Sequence, residues 1–242
     1  MQTGSRKGDR LMKKLIAVMM ACLPALVFAA GGNNEHVVSA NIDLTDKASL
    51  KRGAQAFMDN CSGCHSLQYQ RYQRIADDLE MTEEEVGNLI LSDAKIGEQI
   101  KSAMSTDNGA TWFGAPPPDL TLEARLKSPD WIYSYLKAFY VDESRPFGVN
   151  NLVFPAVGMP HVLEGLQGTP VLQEDGTIVA SGGQMNAEEY DQYVLDITNF
   201  LAYTGEPVKL ERERIGKWVL AFLAFFFVIA FFLKKEYWRD VH

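Results

Sequence analysis

Five consecutive residues, Cys61-Ser62-Gly63-Cys64-His65, carry the most specific chemistry in the chain. Two thiols three positions apart can reach the two vinyl groups on one edge of a haem and form thioethers. The residue after them then sets an imidazole under the iron. The same C-x-x-C pair also fits a redox dithiol or half of a zinc site. A zinc site needs a second Cys or His pair at matching spacing, and the remaining cysteine is Cys22. A thioredoxin-type dithiol belongs near a βαβ pattern, and none is legible. The motif therefore reads as covalent attachment of one haem c through Cys61 and Cys64, with His65 as an axial ligand of the iron.

The other axial position needs a second donor. His161 and His242 follow the motif, as do Met81, Met104, Met159 and Met185. Met104 is expected on the core face of a helix, and Met185 adjoins a Gly-rich turn. Met159 lies in the irregular stretch Phe147–Leu163, stiffened by Pro155 and Pro160. A loop already restricted in conformation loses less entropy on holding a thioether to iron. Met159 is the expected sixth ligand, and His161 is the alternative. Met/His ligation favours Fe(II) and suits electron transfer rather than oxygen chemistry.

Helices must position these groups. From Thr45 to Asn60, Leu50, Ala54, Phe57 and Met58 recur at helical spacing, and the helix ends where Cys61 begins. Gly53 is small enough for close helix packing. Thr82 and Glu85 form a capping box for a second helix. Ile96–Met104 reads as another short helix, and Asp107–Gly114 as a turn-rich loop. Three prolines make Ala115–Leu120 a rigid extended segment, and Pro129–Tyr140 is an aromatic, apolar stretch with Pro129 at a helix start. Val171–Gly183 reads as a hairpin around Asp175-Gly176. Asn186 and Glu189 cap a helix to about Tyr203, stopped by Gly205 and Pro207.

The ends and the charge set the context. The 242 residues carry a net charge of −8, which argues against nucleic-acid binding, since phosphates require basic patches. Residues Gly31–Leu210 hold 26 Asp and Glu against 12 Lys and Arg, so an acidic domain is flanked by basic ends. Lys13 and Lys14, the apolar run Leu15–Phe28 and the small residues at Val27-Phe28-Ala29 read as an export signal over residues 1–30. Residues 1–11 could precede the true start at Met12. The haem domain then covers residues 31–210 and a juxtamembrane linker 211–217. The run Trp218–Leu233 is sixteen residues without a charge. With Ile215 to Lys217 it reaches about 19 residues, roughly 28 Å at about 1.5 Å per residue, enough to span a bilayer, and with both flanks the span covers about 215–234. Lys234, Lys235 and Arg239 follow in a tail, 234–242, expected on the cytoplasmic side.

Together these residues resemble cytochrome c1, the haem-c subunit of the quinol–cytochrome c oxidoreductase (bc1) complex, in its bacterial form. The resemblance rests on Cys61 to Ser66, Pro117-Pro118-Asp119-Leu120, and Phe154-Pro155-Ala156-Val157-Gly158-Met159-Pro160. It extends through Glu189-Tyr190-Asp191, Asp196 to Leu201 and Gly205-Glu206-Pro207 to the single C-terminal span. The fold class is then mainly α: a cytochrome c-type haem domain with loop insertions and a small β-hairpin, plus one C-terminal transmembrane helix. The resemblance implies axial residues at His65 and Met159, a haem wall at Pro118, and a basic propionate contact at Arg125 or Lys127. It assigns no role to Tyr72. It also implies a redox subunit with no catalytic turnover of its own. The electron would come from a Rieske iron–sulfur protein beside cytochrome b and pass to a soluble periplasmic c-type cytochrome. The complex would be dimeric in the inner membrane, with the haem domain in the periplasm. Two other readings are a free-standing membrane-anchored carrier feeding a terminal oxidase, and a haem peroxidase, which would need an open distal site.

Overall fold

The computed structural model describes residues 35–91 and 93–241. The expected export signal, with Cys22, lies outside the described residues. In chain order the elements are α1 (Lys47–Asn60), β1 (Leu67–Arg71), α2 (Tyr72–Leu79), α3 (Glu83–Leu89), β2 (Gln99–Ile100) and α4 (Thr106–Phe113). Then come α5 (Glu123–Leu126), α6 (Pro129–Lys137), β3 (Phe139–Val141), β4 (Val149–Asn151), α7 (Glu164–Gln167), β5 (Gly168–Leu172) and β6 (Ile178–Gly182). Two long helices, α8 (Ala187–Gly205) and α9 (Lys209–Tyr237), and a 3-10 turn at Arg239–Val241 complete the order.

The core is built on the crossing of α1 and α8. Both helices begin with side-chain caps: Asp46 accepts from the Ser49 N–H, and Asn186 with Glu189 forms a complete capping box. At the crossing, a Cβ on Gly53 would lie 2.0 Å from the Asp196 carbonyl oxygen and 2.8 Å from the Phe200 Cβ. Only glycine permits that approach. Phe57 and Phe200 meet beside it with ring centroids 5.9 Å apart, both fully buried. Buried Asp196 accepts hydrogen bonds from Ser49 Oγ at 2.6 Å, from Arg52 Nε and Nη2 at 2.6 and 2.9 Å, and from Gln192 Nε2 at 2.9 Å. The polar seam thus fixes the register of the two helices while the aromatic pair supplies apolar burial.

Helix α6 packs on the other side of α8, with the Tyr190 hydroxyl donating to the Leu136 carbonyl at 3.0 Å. Three two-stranded antiparallel sheets decorate this framework: β1–β2, β3–β4 and β5–β6. The expected hairpin is β5–β6, which opens at Gly168, slightly before the expected boundary. The fold is mainly helical with small hairpins, as anticipated.

Two local expectations are corrected. The segment Ile96–Met104 is not a helix, because its carbonyls serve elsewhere. Ile96 and Glu98 accept from the N–H groups of Gln73 and Tyr72 at 2.7 and 3.3 Å, satisfying the open donors of the α2 N-terminus. Conversely, 107–114 is no loop. Ser105 caps α4 by accepting from Asn108 N–H, and Gly114 closes it in the left-handed conformation. Good caps outweigh the weak propensity of Asn108 and Gly109.

Helix α9 runs unbroken for 29 residues, so the expected linker 211–217 is helical and continuous with the apolar run. It is long and apolar enough to cross a membrane, and its apolar residues are exposed on all sides. An exposed helix with phenylalanine all round offers a surface that lipid hydrocarbon would cover.

Candidate haem site

Helix α1 does not end abruptly. The chain makes one further turn in which Cys61 and Ser62 N–H both donate to the Phe57 carbonyl, and His65 N–H donates to the Cys61 carbonyl at 2.8 Å. This turn carries Cys61, Cys64 and His65 as a rigid extension of the best-packed helix. Two outside segments hold it. Ser102 N–H donates to Ser66 Oγ at 2.8 Å and Ser102 Oγ donates to the Gly63 carbonyl at 2.9 Å. Leu120 N–H donates to the Ser66 carbonyl at 2.9 Å.

Cys61 and Cys64 are not joined in a disulfide. Burial pushes the Cys61 thiol up to about 12, with the neighbouring Cys64 adding to the shift. A dithiol built for redox exchange needs the opposite, a stabilised thiolate. Buried His65 lies 2.7 Å through Nδ1 from the Pro118 carbonyl. A carbonyl only accepts, so Nδ1 must carry the proton. Nε2 is then left with a lone pair, and burial further favours the neutral ring. This is the arrangement by which an outer partner orients a metal-binding imidazole. The prolines of 116–118 thus supply a carbonyl in a fixed place.

The second half of the candidate site is built from loops. Met159 packs with Phe139, Val149 and Val157, and the Tyr135 hydroxyl donates to its sulfur at 3.4 Å. Tyr135 touches both this cluster and the main core, against which Cys61 also packs. Burial pushes the Tyr135 phenol up, so it remains a neutral donor. The loop before Met159 is pinned by two asparagines. The Asn150 side-chain oxygen accepts from Asn151 and Ala156 N–H, both at 2.9 Å. Fully buried Asn151 accepts from Val153 and Phe154 N–H and donates to the Tyr135 carbonyl at 2.8 Å. Ala156 is held at φ 62°, a left-handed conformation that an alanine adopts only under constraint.

The other donors fall elsewhere. Met81 and Met185 pack on the main core, and Met104 lies in a turn before α4, against Gly109, rather than on the helix face expected for it. His161 is buried and stacked on Phe139 with centroids 4.8 Å apart, its Nε2 2.7 Å from the Gln167 side-chain oxygen. Tyr72 is a core residue. The two candidate basic residues separate. Arg125 is exposed and packs its stem against Gly205 at the end of α8. Exposed Lys127 sits over Trp131, 5.5 Å from the ring centroid, and Trp131 stacks on Tyr135 at 5.0 Å. Lys127 therefore belongs to the aromatic ladder that ends at Met159, and Arg125 does not.

Four residues of this region carry no signal strong enough to single them out in the sequence: Tyr135, Arg145, Asn150 and Asn151. The asparagine pair in a Gly- and Pro-rich stretch is the nearest to one. The donor set fits a covalent haem: two thiols on one turn, an oriented imidazole, a thioether in a pinned loop, and a buried guanidinium nitrogen, Arg145 Nε, without a partner.

The sequence profile of the Cytochrome C1 family matches residues 38–241. The chain belongs to the cytochrome c1 family. Members of this family carry a covalently bound haem c, and the chain is a haem-containing electron-transfer subunit of the bc1 complex, anchored in a membrane. A cytochrome c1 from Allochromatium vinosum is 53% identical over 244 residues, covering 96% of this chain and all of the relative. A protein named ammonia monooxygenase gamma subunit, from Nitrosomonas europaea, is 40% identical over 96% of this chain and all of the relative. The mitochondrial cytochrome c1 haem protein of Saccharomyces cerevisiae is 29% identical, with 81% of this chain and 68% of the relative covered.

Proposed function

We propose that the chain relays single electrons from a Rieske iron–sulfur protein to a soluble periplasmic c-type cytochrome, within a dimeric assembly that includes cytochrome b. Haem c supplies the Fe(III)/Fe(II) couple. Cys61 and Cys64 would hold it by thioethers, with His65 Nε2 and Met159 sulfur as the axial donors. The observation that carries this reading is the 2.7 Å contact between His65 Nδ1 and the Pro118 carbonyl, which leaves Nε2 as the free donor.

No bond to carbon, oxygen or nitrogen needs to be made or broken, so no acid, base or nucleophile is required. The residues hold ligands, exclude water and set the potential. Tyr135 draws density from the Met159 sulfur through its hydroxyl, which favours the reduced state. The acidic residues of 31–210 would draw a basic acceptor cytochrome toward the haem domain and raise the encounter rate. The export signal expected over residues 1–30 would direct that domain to the periplasm and leave the 234–242 tail in the cytoplasm.

The test is a reduced-minus-oxidised spectrum of the tagged chain purified from its own membranes in mild detergent. Haem b at about twice the level of haem c, as the resemblance implies for cytochrome b, supports the assignment. Haem c alone, matched by intact membranes, would assign the chain instead to a free-standing anchored carrier.

A further inference from the structure

Arg145 holds the one buried side-chain nitrogen or oxygen, among the described residues, that has no hydrogen-bond partner. Its backbone is fixed by the turn between β3 and β4. Arg145 N–H donates to the Asp142 carbonyl and Gly148 N–H donates to the Arg145 carbonyl, both at 3.0 Å, while Asp142 N–H reaches Gly148 at 2.8 Å. Gly148 turns with φ +69°. The guanidinium is therefore aimed by structure rather than waving in solvent.

It is aimed at the Met159 loop. Nη2 makes a long hydrogen bond, 3.4 Å, to the carbonyl of Val157, two residues before Met159. Nε and Nη2 share the edge of the guanidinium that binds a carboxylate side-on. One corner of that edge is thus weakly satisfied and the other is empty. A buried donor without a partner is unfavourable, and more so on a charged group. The chain's own carboxylates do not fill the place. Asp142 feels the Arg145 charge, but its oxygens are taken by Ser144 and by Asn150 Nδ2. Among the described residues Arg145 makes no ion pair within 4.0 Å.

The missing partner is a carboxylate that enters beside the Met159 loop, and haem c brings two. We propose that Arg145 binds a haem propionate through its Nε–Nη2 edge and so orients the haem on the Met159 side. This rests on the ligand set proposed above and extends it to a residue outside the motif. Arg125 and Lys127, the basic residues implied by the family resemblance, are exposed and offer no comparable buried donor.

The test uses the full chain in its detergent-purified complex, with Arg145→Gln and Arg145→Lys. Resonance Raman reads the propionate bending vibration, and a redox titration reads the midpoint potential. Arg145→Gln is expected to shift the propionate vibration and lower the potential, because a positive charge beside the haem edge is lost. Arg145→Lys is expected to keep most of the potential but still shift the vibration. An unchanged vibration and potential in Arg145→Gln, with the Fe–S absorption band intact, overturns the proposal. If that variant does not accumulate with haem, an experimental structure of the wild-type complex decides. Nε within hydrogen-bond distance of a propionate oxygen supports the proposal, and Nε on water or a protein oxygen overturns it. Failure of the underlying ligand assignment would show separately, as a wild-type chain without the Fe–S band.

Discussion

The two halves of the candidate site are built in opposite ways. The His65 half is an extra turn on α1, which crosses α8 at Gly53 with no room for a methyl group. Its imidazole is oriented by a single short contact to a proline carbonyl. The Met159 half has no helix of its own. It rests on a three-residue strand pair, two asparagine side chains, and an alanine held left-handed. The first half is held by the core. The second is held by local hydrogen bonds that can give way without unfolding the domain. Under the proposed ligand set, the difference fits a division of labour in which one side would fix the cofactor and the other would adjust its potential.

That contrast predicts a graded response to substitution. The largest effect is expected from Gly53→Ala. The added methyl would meet the Asp196 backbone and separate α1 from α8 at a cost of about 3 kcal/mol. Haem-stained protein should fall sharply, and the thermal midpoint of any that accumulates should drop. A variant as stable as wild type would break the claim that the His65 half is held by the crossing.

Asn151→Ala should act differently. It removes a buried acceptor of two N–H groups and a donor to Tyr135, costing about 2 kcal/mol. The haem should stay covalently attached while the Fe–S band weakens, because only the Met159 loop loosens. Equal loss of attachment and band would merge the two halves.

The smallest effect is expected from Tyr135→Phe. Stability should change by about 1 kcal/mol or less. Without the hydroxyl, the Met159 sulfur donates more strongly to Fe(III), so the midpoint potential should fall modestly with attachment unchanged. A rise would reverse the role given to Tyr135.

The His65 half was legible because its determinants are contiguous. The C-x-x-C-H run, the periodic face of α1 and the caps of α8 all read directly from neighbouring residues. The Met159 half was legible only in Met159 itself. Asn150, Asn151, Tyr135 and Arg145 act through contacts that a single chain reading cannot pair. The misreading of 96–104 has the same origin: its carbonyls are claimed by α2, some 24 residues earlier in sequence, and helical spacing says nothing of that demand. At 107–114 the reverse holds: the Ser105 and Gly114 caps outweigh the low helix propensity of Asn108 and Gly109.

The most direct measurement is the absorption spectrum and denatured mass of full-length Met159→Ala beside wild type, both purified in detergent. The account predicts that both chains keep the mass of an attached haem. Wild type shows the Fe–S charge-transfer band, and the variant loses it together with its high potential. A variant that retains the band would place the sixth ligand elsewhere and contradict the division between the two halves.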